Sequence, residues 1–351
     1  MPLTLSASPL PHGDNRQNII AQLRNDDVSP PLITIGMPVY DAMPYLPEAM
    51  ESLFAQTDPR FEILAVVDGA TDSSLEYLRS ICDPRLRVLA QPNQGVAPTL
   101  NRILRECHTP WLVRQDADDV SHPHRIARLL AAIESAPHAG MFYSLANYHP
   151  RGRAVGAFRS SRGTPQQLRD IVRDGYLLSI CHTTVALNVE KTLRLGGYRI
   201  GLHNEDADLW WRMALEHEIH CISEELVGFR QNGSSVSTRH LGAQMVGALY
   251  VQYLLLSHLT RRLPQSYPAI CRHLEALLSP ARLRAKERLR EFNIRLAQKK
   301  YLRAGAAFSA CVAVSPVQVF ERLRDEFAPG GLIRNGLSPH LFLKHKDVLW
   351  L

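Results

Sequence analysis

Short apolar runs alternate with helix-like stretches through the first third of the ordered chain. Apolar runs at 32–35, 63–67, 85–91 and 111–114 have the length of buried strands. Between them, apolar residues recur at helical spacing, as in PYLPEAMESLFAQT (44–57). Strands that alternate with helices at short spacing predict an α/β fold with a mostly parallel sheet.

Two of these strands end in carboxylates. The second strand ends at Asp68, and the fourth is followed closely by Asp116, Asp118 and Asp119. Ligands of open α/β sheets bind at the carboxyl ends of the strands, so we expect these acids on one edge. Neighbouring carboxylates repel each other unless a cation lies among them, and oxygen ligands suit Mg²⁺ or Mn²⁺.

A structural explanation of the acidic cluster remains open at this point. Asp118, Asp119 or Ser121 could cap a helix that begins near 122–123. The pattern alone does not decide between a helix cap and a ligand site.

The segment from 140 to 240 is less regular. It predicts strands at 141–149 and 179–189, an amphipathic helix at 164–175, a short helix near 190–198, and a polar loop over 221–240. A further helix begins at NEDAD (204–208). Acids are favoured in a first helical turn by the helix dipole, so this crowded start has a structural explanation too.

From about residue 243 the pattern is helical throughout. The stretch 281–303 is rich in Arg and Lys, and either a solvated helix face or a surface for anionic lipid fits it. No nucleic-acid-binding motif accompanies the charge, so no nucleic acid partner is expected. The apolar stretch 242–259 is interrupted by Gln244, Gln252 and His258, which favours a buried or interfacial helix over a membrane span.

Composition bounds the protein class. With 351 residues, 45% hydrophobic and 21% charged, the chain has the make-up of a globular protein. Its net charge of +6 favours anionic partners. Six scattered cysteines without a C-x-x-C pair, and a start unlike a signal peptide, predict a cytoplasmic protein, with a peripheral position on the inner face of the plasma membrane left open.

Several common active-site motifs are missing. No G-x-G-x-x-G follows the first strand and no P-loop occurs, so Rossmann dinucleotide binding and P-loop chemistry are unsupported. Neither G-x-S-x-G nor H-E-x-x-H is present.

Four segments, in order, resemble the family 2 glycosyltransferases, which are inverting enzymes that use nucleotide sugars. They are IGMPVYDA, VVDGATD, NQGVAPTLN with VRQDADDVSHPHR, and HNEDADLWWRM. The resemblance implies a GT-A fold, a Rossmann-like and mostly parallel mixed sheet flanked by helices, with an appended C-terminal helical region. Together with the Pro- and Ser-rich start and the helical pattern after about 243, it predicts three parts: a flexible arm (1–30), the GT-A domain (31–240) and a basic helical region (241–351).

The resemblance also assigns roles in donor binding. Pro38, Tyr40 and Asp68 would line the base pocket, Asp116 would lie near the ribose, and Asp118 would bind Mg²⁺ or Mn²⁺. The implied nucleotide-sugar contacts are completed by Asn101, Arg114 and Arg230.

On the acceptor side, Asp206 would be the general base. Glu205 and Asp208 are expected to raise its pKa. His182, Glu205 and Trp210 would shape the acceptor pocket.

The chain departs from the family pattern at two positions. Val67 replaces the first Asp of the second segment, and Asn232 replaces a usual histidine, for which His240 could substitute. The last metal ligand is therefore left open.

The function implied is transfer of one sugar from a nucleotide diphosphate sugar, with a UDP-sugar favoured. The acceptor would be a saccharide or lipid-linked, in cell-surface polysaccharide or glycolipid synthesis. A sugar-nucleotide pyrophosphorylase-like enzyme would need a Gly-rich, basic first loop, which GMPVYDAMPYL lacks. A non-catalytic nucleotide-sugar-binding scaffold is disfavoured by the intact Asp68, Asp118 and Asp206.

Overall fold

The computed structural model describes seven ranges of the chain: 30–149, 158–230, 241–278, 280–297, 300–317, 319–320 and 332–350. The predicted N-terminal arm, apart from Pro30, lies outside them. Asn232 and His240 lie outside them as well.

The first half of the fold is the predicted strand–helix alternation. Its elements are β1 (Ile33–Val39), α1 (Leu46–Phe54), β2 (Phe61–Asp68), α2 (Ser74–Ser80), β3 (Leu86–Gln91), α3 (Val96–Glu106) and β4 (Trp111–Arg114). These strands pair in parallel in the order β3-β2-β1-β4. Both faces of β1 and β2 are buried, as expected for a parallel sheet covered by helices.

The second half turns the sheet into a mixed one. It comprises β5 (Val120–Ser121), α4 (Arg125–Ser135), β6 (Met141–His149), α5 (Pro165–Arg173), β7 (Val185–Asn188), α6 (Val189–Arg194), α7 (Glu205–Glu216) and β8 (Ile219–Arg230). Strand β7 is antiparallel to β4 and β6, whereas β8 is parallel to β6 and antiparallel to β5. The α/β class and the mixed sheet are confirmed.

The polar loop predicted for 221–240 is wrong where the structure describes it. Residues up to Arg230 belong to β8, which pairs with β6 along its length. The register shifts on either side of Leu145, and the exposed residues 223–225 lie at this irregularity. Three consecutive polar residues hide the strand in the sequence, because they interrupt its alternation. The strand predicted at 179–189 is also shorter, since His182–Thr184 form a 3-10 turn before β7.

Two hydrophobic clusters lie on the two faces of the sheet. One packs α1 and α4 onto the sheet through residues such as Leu46, Met50 and Leu129. The other joins α3, α5 and α7 and also includes Val251 and Leu255, which belong to the next helix in the chain. That helix, α8 (Leu241–Leu259), therefore shares a core with the sheet.

The remaining helices follow in the C-terminal region. They are α9 (Tyr267–Ala276), α10 (Pro280–Ala297), α11 (Tyr301–Val314), α12 (Pro339–Lys344) and α13 (Lys346–Leu349). Helices α10 and α11 pack on each other around Ala285 and Cys311. Within the described ranges, no helix has both the length and the apolar character that a membrane crossing requires. The boundaries proposed at 30/31 and 240/241 stay predictions.

Near residue 335 the chain returns to the part that contains the sheet. Leu177 and Asn335 exchange backbone hydrogen bonds of 2.9 Å. The fully buried Gln252 of α8 binds both sides of this return: its Nε2 donates to the carbonyls of Gly175 (2.8 Å) and Leu337 (2.7 Å). Its Oε1 accepts from the backbone N–H of Leu337 at 2.9 Å.

We predict that Gln252→Ala lowers the free energy of unfolding by about 3 kcal/mol, because buried backbone groups lose their partners. Urea unfolding measures this loss. Gln244→Ala, at a half-buried position on the same helix, is the matched control and should cost less than about 1 kcal/mol. Equal losses in the two variants would contradict the structural role of Gln252.

Candidate active site

A buried arginine holds the turn after β4 in place. Arg125, at 1% exposure, donates to the carbonyls of Arg114 (2.8 Å) and Thr183 (2.6 Å) and to Oε1 of Gln115 (2.6 Å). Gln115 in turn donates to the carbonyls of Asp116 (3.1 Å) and Asp119 (2.8 Å). These bonds fix the turn that carries the acidic cluster.

Arg125 and Gln115 were given no role in the sequence prediction. The available signal was Arg125 itself, the last residue of the matched segment VRQDADDVSHPHR. The three acids of the turn can stay close together because this frame holds their backbone.

The three acids have different surroundings. Asp116 pairs with the buried Arg114 at 2.6 Å. Burial, and then the charge of Asp116, raises the pKa of Asp118 to about 6. Asp119 is fully buried and its Oδ1 accepts from the backbone N–H of Arg230 at 2.8 Å; burial raises its pKa, and Asp116 and Asp118 raise it further. The turn therefore concentrates negative potential that a cation would relieve.

The helix-cap explanation of this cluster is wrong. Helix α4 begins at Arg125 and its N-cap position is His124, which makes no capping side-chain hydrogen bond. Asp119 ties β8 to the turn instead, and the Ser121 hydroxyl donates to Gln115 at 2.9 Å.

On the predicted base-pocket side, Asp68 organises the loop after β3. Its carboxylate is 4% exposed and accepts from Gln91 Nε2 (2.7 Å) and from the backbone N–H groups of Gln94 (2.9 Å) and Gly95 (2.8 Å). A carboxylate has about four acceptor positions, so one remains for a ligand. Pro38 is the penultimate residue of β1, and Tyr40, 53% exposed, follows the strand.

Asn101, predicted to contact the nucleotide sugar, holds the backbone of Tyr198. Its amide accepts from the Tyr198 N–H (2.9 Å) and donates to the Tyr198 carbonyl (2.7 Å), so both of its polar groups are engaged. The Tyr198 hydroxyl lies 3.0 Å from Nε2 of His182. Burial, and then the nearby Arg114, lowers the pKa of His182 well below its usual range, so this imidazole is neutral.

Trp210 lies behind His182 rather than at the surface. It is fully buried, and the two rings meet edge-on with centroids 5.6 Å apart. Trp210 therefore supports the orientation of His182. Its predicted contact with an acceptor stays a prediction.

The start of α7 carries two carboxylates with raised pKa values. Burial, and then Asp206, raises the pKa of Glu205 to about 7. Burial is also the largest cause of the raised pKa of Asp206, and the charge of Asp116 contributes to it. The charges of Arg114 and Asp116 affect the pKa of both groups, so the start of α7 lies near the acidic turn.

Asp208 does not act as expected. It is fully buried and forms ion pairs with Arg199 (2.9 Å) and Arg212 (2.7 Å). Two cations compensate its charge, so it anchors the helix start, and burial accounts for most of the rise at Asp206.

Arg230 closes the other side of the acidic turn. Its Nε donates to the carbonyl of Asp118 at 2.8 Å, and its guanidinium lies 4.7 Å from the ring centroid of Tyr45. It also forms an ion pair with Glu48, whose second oxygen lies 3.0 Å from Nε2 of His149. Glu48, Tyr45 and His149 were not predicted, because nothing in the sequence links positions so far apart.

The acidic turn fits a divalent cation only in part. The described ranges contain no group of three or more His, Cys, Asp or Glu side chains placed to hold a metal ion. Repulsion between Asp116 and Asp118 nevertheless favours a cation there. Mg²⁺ commonly binds one or two carboxylates and takes its other ligands from phosphate and water. The carboxylates of Asp116 and Asp118 fit this kind of binding.

The raised pKa of Glu205 gives a testable dependence of stability on pH. A carboxyl group whose pKa is higher in the folded state stabilises the fold at low pH and loses that contribution as pH rises from about 4.5 to about 7. We therefore predict that Glu205→Gln raises the free energy of unfolding more at pH 8 than at pH 5, with a difference on the order of 2 kcal/mol. Urea unfolding at both pH values measures it.

Glu216→Gln, at an exposed position of the same helix, is the control for Glu205. It should change the free energy of unfolding equally at pH 5 and pH 8. A pH-independent effect of Glu205→Gln would contradict the raised pKa.

Comparisons with known proteins agree with the family resemblance stated from the sequence. Residues 34–192 match the family model described as Glycosyl transferase family 2. An uncharacterized glycosyltransferase of Haemophilus influenzae is 27% identical over 211 residues, covering 58% of this chain and 76% of that protein. The amylovoran biosynthesis glycosyltransferase AmsE of Erwinia amylovora is 27% identical over 204 residues, covering 55% and 73%.

A solved structure shows the same fold. It is that of S. aureus TarS 1-349 in complex with UDP-GlcNAc, with a TM-score of 0.55 and 15% identity over 79% of this chain and 90% of that one. The resemblance stated from the sequence is thereby confirmed. Residues 34–192 belong to glycosyl transferase family 2, and the chain carries a glycosyltransferase domain of GT-A type.

Proposed function

We propose that this glycosyltransferase moves one sugar, with inversion, from a nucleoside diphosphate sugar to a saccharide or lipid-linked acceptor in polysaccharide or glycolipid synthesis. The observation that carries the proposal is that the buried Asp206, whose pKa is raised, lies near enough to Asp116 of the acidic turn for their charges to interact. The Erwinia relative, named for amylovoran biosynthesis, supports a polysaccharide product. The UDP-GlcNAc bound to TarS supports a UDP-sugar donor.

Donor binding would use the edge between β1 and β4. Tyr40 is exposed enough to stack on a base, and Asp68 keeps one acceptor position for the base edge. Asp116 would contact the ribose. Arg114 and Arg230 would place positive charge near the diphosphate, as bidentate arginine–phosphate contacts do elsewhere.

The proton transfer is assigned to Asp206. As the acceptor oxygen attacks the anomeric carbon, its proton would pass to the Asp206 carboxylate. The bond to the diphosphate breaks, and its electron pair leaves with the nucleoside diphosphate. A raised pKa makes this carboxylate a stronger base near neutral pH. Neutral His182 could orient the acceptor hydroxyl without adding charge.

A divalent cation, Mg²⁺ or Mn²⁺, would be held by Asp118. When bound, it would supply Lewis-acid stabilisation of charge on the leaving diphosphate. The Arg230 guanidinium donates to the backbone carbonyl of Asp118, and it would contact the same diphosphate as the cation.

We predict that Asp206→Asn lowers the transfer rate at least about 100-fold while UDP binding changes less than about 2-fold, because the variant keeps its shape but loses the proton acceptor. The assay incubates the protein with Mn²⁺ and a panel of nucleotide sugars and follows release of nucleoside diphosphate. In the wild type, the rate should rise with pH as the carboxyl group loses its proton.

The exposed acid Asp170, changed to Asn, serves as control and should keep full activity. Unchanged transfer in Asp206→Asn would remove this residue as the base. Pyrophosphate formed from a nucleoside triphosphate and a sugar phosphate would favour a pyrophosphorylase, and donor binding without turnover would favour a scaffold.

We also propose that the α10–α11 hairpin contacts an anionic membrane surface. Leu302 is 92% exposed and Tyr301 is 64% exposed, and they lie between the exposed cations Lys300 and Arg303. An apolar and an aromatic side chain beside basic residues suit the boundary between lipid headgroups and acyl chains. This contact would bring the enzyme to a lipid-linked acceptor.

We predict that Tyr301→Ser with Leu302→Ser weakens binding to vesicles containing about 30% anionic lipid at least 5-fold, because apolar area beside the cations is lost. Sedimentation with vesicles measures binding, and added salt should weaken it in the wild type. Leu263→Ser, at another position that is 90% exposed, is the matched control and should bind normally. Equal wild-type binding to neutral and anionic vesicles would refute the electrostatic contact.

A further inference from the structure

A cavity of about 350 Å³ lies beside α3, between the end of β3 and the loop that leads to α7. Gln91 and Gln94 line one side of it, Arg102 and Arg105 line the helix side, and Ile200 stands on the loop. Its volume is within the range of about 300–1,000 Å³ for small-ligand sites. Arg102, Arg105 and Ile200 have no role in the transfer proposed above.

The helix wall of the cavity is well fixed. Pro98, Arg102 and Arg105 lie at intervals of four and three residues and share one face of α3. The opposite face carries Leu100 and Ile103, which are buried in the core. The two arginines are therefore presented by a helix that cannot easily move.

The cavity is positively charged. None of its lining residues is acidic. Arg102 donates only to neutral oxygens, Oε1 of Gln91 (2.9 Å) and the carbonyl of Ala90 (3.2 Å). Within the part of the chain that the structure describes, no carboxylate forms an ion pair with Arg102 or Arg105. The nearby Asp68 is already bonded to Gln91, Gln94 and Gly95.

The cavity lies between the predicted base-pocket side, where Gln91 and Gln94 bond Asp68, and the predicted acceptor side. Asn101, which also lines it, holds the backbone of Tyr198, and the Tyr198 hydroxyl bonds His182. Ile200 follows Tyr198 by two residues and precedes Glu205 by five. The acidic turn follows β4 and Arg230 ends β8, whereas β3 is an edge strand, separated from β4 by β2 and β1. A donor diphosphate at Arg230 would leave this cavity free.

We propose that this cavity binds an oxyanion of the acceptor, either the carboxylate of an acidic sugar or a phosphate, with Arg102 and Arg105 as the recognising groups. Ile200, 70% exposed, offers an apolar surface to the C–H face of the same sugar. Guanidinium groups suit both anions because they can donate two parallel hydrogen bonds. This inference rests on the proposed glycosyl transfer and specifies its acceptor as acidic.

The test compares ligands of like size and different charge. Calorimetric titration of the full chain with tri-galacturonate should show binding at least about 10-fold tighter than with neutral maltotriose, and glucose 1-phosphate tests the phosphate source. Arg102→Gln with Arg105→Gln should abolish the preference for the anionic ligand. Arg79→Gln with Arg173→Gln removes the same charge at exposed positions on α2 and α5 and should preserve it.

Each outcome of the titrations either supports or overturns the proposed anion site. Preference for tri-galacturonate alone identifies an acidic sugar, and preference for glucose 1-phosphate alone identifies a phosphate. No preference for either anion, or equal loss in both double variants, overturns the proposal.

UDP binding separates this inference from the proposed function. It should be unchanged in Arg102→Gln with Arg105→Gln, and weakened UDP binding there would assign the cavity to the donor and overturn the proposal. Failure of the wild type to release nucleoside diphosphate would instead refute the proposed transfer, whatever the titrations show.

Discussion

The buried guanidinium of Arg125 holds the site together. A buried cation is costly unless its donors are satisfied, and here Nη1 and Nη2 reach the carbonyls of Arg114 and Thr183 and the side chain of Gln115, whereas Nε has no partner among the described residues. Burial lowers its pKa to about 10, so it remains charged at neutral pH. One side chain thereby joins β4, the acidic turn and the 3-10 turn before β7. The acids of the turn repel one another, and this frame keeps their backbone in place.

The acids of the site divide into two groups. Asp208 and Asp119 are structural, since Asp208 is held by two arginines and Asp119 secures the end of β8. Asp118, Glu205 and Asp206 have raised pKa values, because burial outweighs the effect of the nearby Arg114. A cation at the turn and a proton arriving from an acceptor would each relieve part of this repulsion. The reactants that the site is proposed to use are therefore those that its own electrostatics favour.

Local patterns in the sequence predicted the parts of the fold that depend on neighbouring residues. The strand over 111–114 and its trailing acids were recognisable because apolar and charged residues follow one another directly. Strand β8 was missed because its irregular pairing turns 223–225 outward. Glu48 was missed for another reason. It contacts Arg230, which is 182 positions away, and a contact over that distance produces no periodic pattern in the sequence. Long-range polar contacts of this kind therefore could not be predicted from the sequence.

Because the chain returns to the sheet near residue 335, the α10–α11 hairpin is connected to the sheet at both of its ends. Helix α8 is docked into the core before the hairpin, and Asn335 pairs with Leu177 after it. The α10–α11 hairpin is therefore an excursion between two docked segments, tethered at both ends rather than hanging from one linker. Two tethers restrict rotation more than one does. A membrane bound by its tip would face a restricted set of orientations of the sheet, and so of the edge at which sugar transfer is proposed to occur.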